Sequence, residues 1–226
     1  MLGRLVFITL IVTAAASETL AGEATLGGVS ITLPPPAGFC ELDPRQPFDS
    51  RIVTTISGLL ERGGIKLLGI STDCGQLFDG RAGRRRLLDD LAEYRTQISA
   101  LDRSQPIEPI AQSCTTLRTQ GDTIVATRAP DFNARLESTV DNIKINETRF
   151  IGLLAEDANA CYAGLIQKAR TELGTDKTQL TTWAVTIIRN RSIGVSRFAV
   201  YQNPDTVGAA LAKLKADVAA LIAANP

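Results

Sequence analysis

The chain has 226 residues, with 24 Lys and Arg against 24 Asp and Glu, and it contains no histidine. A formal net charge of zero gives no overall attraction to nucleic acid or to an anionic membrane surface. Without histidine there is no Ser-His-Asp triad, no Cys-His pair, no histidine metal ligand and no imidazole acid–base catalysis. The sequence therefore indicates compartment and fold more clearly than it indicates a reaction.

The first residues of the chain, 1–21, are typical of a secretory signal peptide. One arginine precedes an apolar run at 5–16, which is shorter than a membrane-spanning helix needs. Small residues predict cleavage after Ala21, with Ala16 as the alternative site. We expect the remaining chain, 22–226, to be one exported, periplasmic domain with no stable membrane span.

Four cysteines follow this leader, and an even number of cysteines in an exported protein favours two disulfides. They are Cys40, Cys74, Cys114 and Cys161. Three pairings are open to four cysteines, and sequence alone does not choose among them. We favour Cys40 with Cys74 and Cys114 with Cys161. The wide spacing and the absence of a C-x-x-C motif argue against a zinc site or a thioredoxin-type redox site.

Hydrophobic periodicity and turn residues place five elements in the first half of the exported chain. In order they are a strand at 29–33, a helix capped by Asp49 or Ser50 and ended by Gly63-Gly64, a strand at 65–70, a turn or short helix at 74–83, and a segment at 87–98. The spacing in the last segment fits both a helix and a strand. We favour a strand, because an antiparallel sheet needs partners in this part of the chain.

The second half is predicted to contain three helices and two strand pairs. Pro106 and Pro109 bracket the first helix start, and Pro130 is expected to start a separate helix with Phe132, Leu136, Val140 and Ile143 on one face. Polar turns join the strand pairs, which lie at 148–155 with 161–168 and at 183–188 with 193–201. Four threonines, Thr175, Thr178, Thr181 and Thr182, are expected in a polar loop before the second pair.

After Pro204 the chain is predicted to form an amphipathic, alanine-rich helix that packs on a sheet. Its apolar stripe contains Val207, Leu211, Leu214, Val218, Leu221 and Ile222. Together these elements predict a single α+β domain. We expect about six or seven mostly antiparallel strands, packed by helices.

The densest basic cluster contains Arg81, Arg84, Arg85 and Arg86. Guanidinium groups suit phosphates, carboxylates and acidic partners, so this cluster is a candidate patch for an anion or a partner. A structural interpretation is also open, in which the arginines pair with Asp79, Asp89 and Asp90 and the local charges nearly cancel.

No residue of the chain is predicted to be catalytic, to bind a cofactor or to ligate a metal. The adjacent carboxylates Asp89-Asp90 and Glu156-Asp157 are expected in surface turns, because sequence neighbours rarely face each other across a scissile bond. Nucleophile-elbow, Walker and Rossmann motifs are absent from the sequence. The aromatic residues are not interleaved with the arginines, so a nucleic-acid partner is disfavoured.

Several segments resemble a group of exported alphaproteobacterial proteins that have no assigned activity. They are the run from Leu33 to Asp43, Cys114-x-x-Leu117-Arg118, Ala160-Cys161-Tyr162 and the closing Ala223-Ala224-Asn225-Pro226. The predicted element order is also similar to the PsbP-like α/β sandwich. That second resemblance implies an accessory or binding role, since members of this fold mostly act in that way.

From these patterns we expect a non-catalytic binding or accessory protein of the cell envelope, whose partner is an envelope protein or a small ligand. The alternative is a histidine-free, carboxylate-based hydrolase that acts on envelope glycan. A cleft with two carboxylates at catalytic separation, one of them with a raised pKa, would favour that alternative.

Overall fold

The structure is a computed structural model of the chain. It describes residues 22–101, 107–140, 143–171 and 176–226. The predicted signal peptide, residues 1–21, lies outside the described residues.

The described residues form strands, four α-helices and one short 3-10 helix at Ile98–Leu101. The strands are β1 (Gly22–Leu26), β2 (Val29–Leu33), β3 (Phe39–Glu41), β4 (Ile65–Asp73), β5 (Leu91–Gln97), β6 (Ile143–Glu156), β7 (Ala160–Thr171), β8 (Asp176–Ile188) and β9 (Arg191–Val200). The α-helices are α1 (Pro47–Glu61), α2 (Cys74–Arg81), α3 (Ile110–Thr139) and α4 (Asp205–Ala223).

Seven strands form one antiparallel sheet in the order β3-β4-β5-β9-β8-β7-β6, and β1 pairs with β2 in a separate hairpin. The α+β class and the mostly antiparallel sheet of the sequence analysis are confirmed. Both predicted strand pairs are present as the hairpins β6–β7 and β8–β9. The turn of the second hairpin places Arg189 and Asn190 at positive φ, the conformation that tight hairpins need and that asparagine tolerates.

One face of the sheet, which we call the α4 face, is covered by α4 and by the β1–β2 hairpin. Paired residues on neighbouring strands point to the same side, so Tyr94, Val195, Ala184 and Tyr162 form one buried row. Covering this row are apolar side chains of the helix and the hairpin, namely Leu214, Val218, Leu221, Leu26, Ile31 and Leu33. The predicted stripe of the last helix is therefore confirmed as its core-facing side.

Polar contacts also fix α4 to the rest of the fold. Asp217 in α4 and Arg197 in β9 form a buried ion pair with two hydrogen bonds. The side chain of Asn225, just beyond the helix, donates to the Thr32 carbonyl and accepts from the Thr32 amide, each at 2.8 Å. Asn225 thereby clasps the hairpin to the end of α4.

The opposite side of the sheet, which we call the α1–α3 face, is covered by α1 over β4 and by α3 over β6, β7 and β8. Its central row contains Ile70, Glu93, Ser196 and Trp183. Helix α3 approaches β6 closely at Gly121, where an added Cβ would lie 2.3 Å from the Phe150 ring. This contact requires glycine.

Two disulfides are present, in the pairing that the sequence analysis favoured. Cys40 of β3 is bonded to Cys74 at the start of α2, and Cys114 of α3 is bonded to Cys161 of β7. The second bond fixes α3 to the sheet. Disulfides persist in oxidising compartments, so the pair of bonds fits an exported protein.

The predicted helix break at Pro130 is wrong, because α3 continues through this residue. Proline removes one backbone donor, but Pro130 and Ala126, whose carbonyl loses its partner, are both exposed, so water can satisfy that carbonyl. The helix ends earlier than expected. Val140 is its C-cap and Ile143 is the first residue of β6.

The predicted threonine loop is also wrong, because β8 already begins at Asp176. Thr178, Thr181 and Thr182 are strand residues, and the last two are buried. Thr175 lies outside the described residues. The period-2 alternation was obscured here because threonines occupy both sides of the strand.

Smaller differences concern the first half of the chain. Strand β1 was not expected, and α1 begins at Pro47 instead of Asp49, since proline suits the first turn of a helix. In the ambiguous segment the strand interpretation is confirmed for Leu91–Gln97, whereas 87–90 is a loop.

Candidate functional site

The candidate site is formed by α2 and the loop after it, residues 74–90, which we call the arginine segment. Its start is anchored twice. Cys74 is bonded to Cys40, and the Asp73 carboxylate caps α2 by accepting a hydrogen bond from the backbone N–H of Gln76 at 2.9 Å. The segment is therefore attached to the edge of the sheet at β3 and β4.

Arg81, the first member of the predicted patch, is exposed but pairs with a buried carboxylate. Its guanidinium donates to Asp49 of α1 through Nη2 at 2.5 Å and Nε at 3.2 Å. Asp49 is fully buried and also accepts from the Asp43 amide at 2.8 Å. This ion pair links α2 to α1. Removal of Arg81 would leave the Asp49 charge buried without a partner, so the contact stabilises the fold.

Two of the loop arginines form ion pairs with Asp79 and Asp89, as the structural interpretation predicted, whereas Asp90 accepts from Gln76. Arg84 donates to Asp79 at 2.7 Å and Arg85 to Asp89 at 3.0 Å. Asp89 also accepts from Lys177 of β8. Burial raises the pKa of Asp89, but the hydrogen bonds from Lys177 and Arg85 outweigh this and hold the pKa below its usual value.

Gln76 closes the loop against the helix. Its amide nitrogen donates to the Asp90 carboxylate at 2.6 Å, and its amide oxygen accepts from the Asp89 backbone N–H at 2.8 Å. The backbone N–H groups of Arg84 and Arg85 both donate to the Asp79 carbonyl, at 2.9 and 3.2 Å. The loop is thus held by defined bonds at both ends.

This ordered segment exposes two large apolar side chains. Phe78 is 68% exposed and Leu87 is 53% exposed. The Arg84 guanidinium lies 5.0 Å from the centre of the Phe78 ring, and Arg86 is exposed nearby in the loop. The arginine segment therefore presents an aromatic ring, a leucine and guanidinium groups on a framework that is already fixed.

The sequence analysis found the arginines of this surface and missed Phe78 and Leu87. The strand interpretation of 87–98 included Leu87, whereas the structure places it in the loop before β5. Phe78 follows the buried Leu77 in a helix of eight residues, which is too short for periodicity to separate an inner from an outer side. The spacing of such a short helix gave no usable signal.

Both adjacent carboxylate pairs make structural contacts, and two of these contacts join distant parts of the chain. Asp89 and Asp90 belong to the bonds just described. Glu156 pairs with Arg118 of α3 at 2.5 Å. Asp157 accepts from the backbone N–H groups of Asn159 and Ala160 at 2.9 and 3.0 Å, which is turn chemistry as predicted.

Buried polar side chains on the α1–α3 face were not anticipated. Oε2 of Glu93, Oγ1 of Thr181 and Oγ of Ser196 are buried without a hydrogen-bond partner among the described residues. Burial raises the pKa of Glu93 to about 7, against the opposing effect of the Arg95 charge. A strand periodicity alone would have placed Glu93 on one face of the sheet. The spacing in 87–98 fits both a helix and a strand, so it did not predict which side Glu93 faces.

Two surface depressions bear on the hydrolase alternative. The first, about 10 Å³, is lined by Glu41, Ser71 and Tyr94 among others, and holds at most one water. The second, about 440 Å³ and open to solvent, lies on the outer side of α1 between Pro47 and Thr55 and is lined by no carboxylate. Neither depression includes Glu93.

The described part of the chain contains no cluster of three or more Cys, Asp or Glu side chains placed to hold a metal ion. Its helices are not long and apolar enough for any of them to cross a membrane.

No protein-family model matches the chain, and no curated protein matches it. Among solved structures, it is similar to the Ran-binding protein Mog1p of Saccharomyces cerevisiae, with 9% sequence identity over 90% of this chain and 89% of that chain. The TM-score is 0.29, and a likeness at that level carries no argument about fold or function.

Proposed function

We propose that this protein is a periplasmic, non-catalytic binding or accessory protein of the cell envelope, and that the arginine segment is its docking surface. The observation that carries the proposal is the exposure of Phe78 and Leu87 on a segment fixed by a disulfide and ion pairs. Aromatic residues and arginine are enriched in protein interfaces, and arginine is among the residues that dominate binding energy there.

The partner that fits this surface is a protein with an apolar side chain flanked by carboxylates. Phe78 and Leu87 supply apolar contact area. The guanidinium of the exposed Arg86 suits a carboxylate, whereas that of Arg84 is already paired with Asp79. Because the intramolecular ion pairs already orient the segment, binding loses little conformational entropy there.

Export supports the same proposal. The two disulfides fit an exported protein. The predicted signal peptide and the resemblance to exported alphaproteobacterial proteins support a periplasmic location. The PsbP-like element order is consistent with an accessory role and stays part of the proposal.

Photo-crosslinking in the exporting cell tests this function. Benzoylphenylalanine replaces Phe78 or Leu87, and Ile98 serves as the matched control because it is 42% exposed and lies outside the arginine segment. We expect one protein adduct of defined mass from positions 78 and 87 and none from position 98. In the position-78 protein, Arg86→Glu should abolish the adduct, and the crosslinked partner peptide should contain Asp or Glu.

Three results would overturn the proposal. Equal adducts from positions 78 and 98 would show indiscriminate contact. An adduct that R86E leaves unchanged would contradict a partner that binds through carboxylates. Absence of any protein adduct, together with a saturable thermal shift by a small anion, would assign the surface to a small ligand.

The hydrolase alternative has one supporting observation, the raised pKa of Glu93. Glycoside hydrolysis needs a second carboxylate about 5–9.5 Å away and access for the sugar. The charged side chain that acts on Glu93 is Arg95, and Glu93 itself is only 4% exposed. Release of sugar from purified envelope glycan by the protein, lost in Glu93→Gln, would reverse our preference.

A further inference from the structure

The carboxylate of Glu41 lies against the backbone of Gly22, the first residue of β1. A Cβ added to Gly22 would lie 2.6 Å from Oε1 of Glu41 and 3.1 Å from its Oε2. The carboxylate thus occupies the space that a side chain at position 22 would take. Glu41 belongs to β3, so this contact joins the β1–β2 hairpin to the edge of the main sheet.

The backbone nitrogen of Gly22 is close to the same carboxylate. Nitrogen and Cβ on one Cα lie about 2.5 Å apart, so the Gly22 nitrogen is within about 5 Å of Oε1. Glu41 is exposed at the end of β3, and partial desolvation of its carboxylate raises its pKa. The negative charge of Asp43 adds to this effect. The described residues thus place a carboxylate beside this nitrogen and supply it with no balancing cation.

We propose that processing of the chain at the Ala21–Gly22 bond creates that cation, and that the α-ammonium group of Gly22 forms an ion pair with Glu41. An endopeptidase of the export pathway would hydrolyse the bond. Water supplies the hydroxyl to the Ala21 carbonyl carbon and a proton to the Gly22 nitrogen. A further proton from solvent gives the ammonium, because an α-amino group has a pKa of about 7.7–8.0.

The position of Glu41 also decides between the two predicted cleavage sites. Cleavage after Ala16 would leave five residues before Gly22, and the ammonium group would no longer be fixed next to the carboxylate. Cleavage after Ala21 makes the first residue of β1 the new terminus. The inference rests on the predicted export of the chain and does not depend on the arginine segment.

Among the described residues, those that surround Glu41 do not offer a competing cation. Tyr94 lines the small depression beside it, and its hydroxyl donates to the Pro34 carbonyl at 2.6 Å. Asp43 is paired with Arg45. The remaining lining residues of that depression, Leu33, Pro35, Gly69, Ile70 and Ser71, carry no charge.

The test begins with the full chain expressed with its leader in an exporting bacterial host. Intact mass identifies the first residue of the mature protein, and we expect Gly22. The melting temperature of this protein is then compared with that of Glu41→Gln between pH 6 and 10. We expect Glu41→Gln to lower it by about 2–4 °C at pH 6.5, and the difference to vanish as the amine loses its proton. Glu23→Gln, on the same hairpin, is the control.

A chemical control separates the ion pair from a merely structural role of Glu41. Selective transamination converts the terminal glycine amine to a glyoxylyl group and removes the charge without adding bulk. The difference between the parent and Glu41→Gln should disappear after this reaction. A mature chain that begins at Ser17, or a Glu41→Gln effect that survives transamination or stays constant up to pH 10, would overturn the proposal.

Discussion

Both faces of the sheet contain buried polar groups, but the faces differ in how those groups are satisfied. On the α4 face, Arg197 pairs with Asp217, the Tyr94 hydroxyl bonds to a carbonyl, and Thr186 donates to the Asn159 carbonyl at 2.8 Å. Thr182 is the exception on that face. On the α1–α3 face, Glu93, Ser196 and Thr181 are buried without a partner among the described residues.

The buried polar groups of the two faces therefore differ in their effect on stability. Paired groups fix the helix and the hairpin in one arrangement on the α4 face. Unpaired groups lower stability, because a buried donor or acceptor loses its water without a replacement. Loss of a buried polar group should therefore lower the free energy of unfolding on the α4 face and raise it, or leave it unchanged, on the α1–α3 face.

The largest effect is expected for Asp217→Asn. The change leaves the Arg197 guanidinium buried without its countercharge, so the free energy of unfolding should fall by about 3–5 kcal/mol. Urea denaturation at pH 7 measures it. Asp205→Asn, exposed in the first turn of the same helix, should lower it by less than about 1 kcal/mol. Similar losses for the two variants would break the comparison.

Glu93→Gln should have the opposite sign. The folded protein keeps the Glu93 proton up to about pH 7, whereas the unfolded chain releases it near pH 4.5, so stability falls as the pH rises between these values. The neutral amide removes this loss, and the gain at pH 8 should be at most about 3 kcal/mol. At pH 4 the variant and the parent should differ little. Urea curves across this pH range check the slope, and a gain independent of pH would contradict the assignment to Glu93.

Two threonine-to-valine changes compare the faces at constant shape. Thr181→Val replaces an unpartnered hydroxyl and should leave stability unchanged or raise it by up to about 1 kcal/mol. Thr186→Val breaks the bond to Asn159 and should lower stability by about 1–2 kcal/mol. Thermal unfolding of both variants in one buffer is sufficient, and equal signs would show that the hydroxyl of Thr181 is satisfied in solution.

The smallest effect on stability is expected in the arginine segment. Phe78→Ser and Leu87→Ser change exposed side chains, so the free energy of unfolding should move by no more than about 0.5 kcal/mol. Each change should nevertheless reduce the crosslinked adduct at the other position. A loss of stability as large as that of the buried variants would place these residues in the fold instead of the docking surface.

Much of the fold follows from local patterns in the sequence. The stripe from Val207 to Ile222 required an amphipathic helix, and the Asn190 turn required a tight hairpin, so both were predictable. The prediction at Pro130 was wrong because the free-energy cost of a proline inside a helix depends on whether the carbonyl that loses its partner is exposed to water. The sequence alone does not show that exposure. The threonines of β8 misled it because hydroxyls were assumed to be exposed.

The candidate site was predictable only in composition. Four arginines near three aspartates predicted a charged segment. They did not predict the buried partner of Arg81, because Asp49 is 32 positions away in the chain. The exposure of Phe78 and the burial of Glu93 depend on which neighbours the topology supplies. Contacts of that kind form only when β5 and β9, far apart in the chain, become adjacent strands.

The clasp between Asn225 and Thr32 has a consequence for the order of folding. The two residues are 193 positions apart, and the apolar side of the first hairpin is covered by the last helix. An exported chain that emerges from the translocation channel with its first residues leading would present that hairpin long before its cover arrives. The native state is therefore completed only after nearly all of the chain is available, and until then the apolar side of the hairpin stays uncovered.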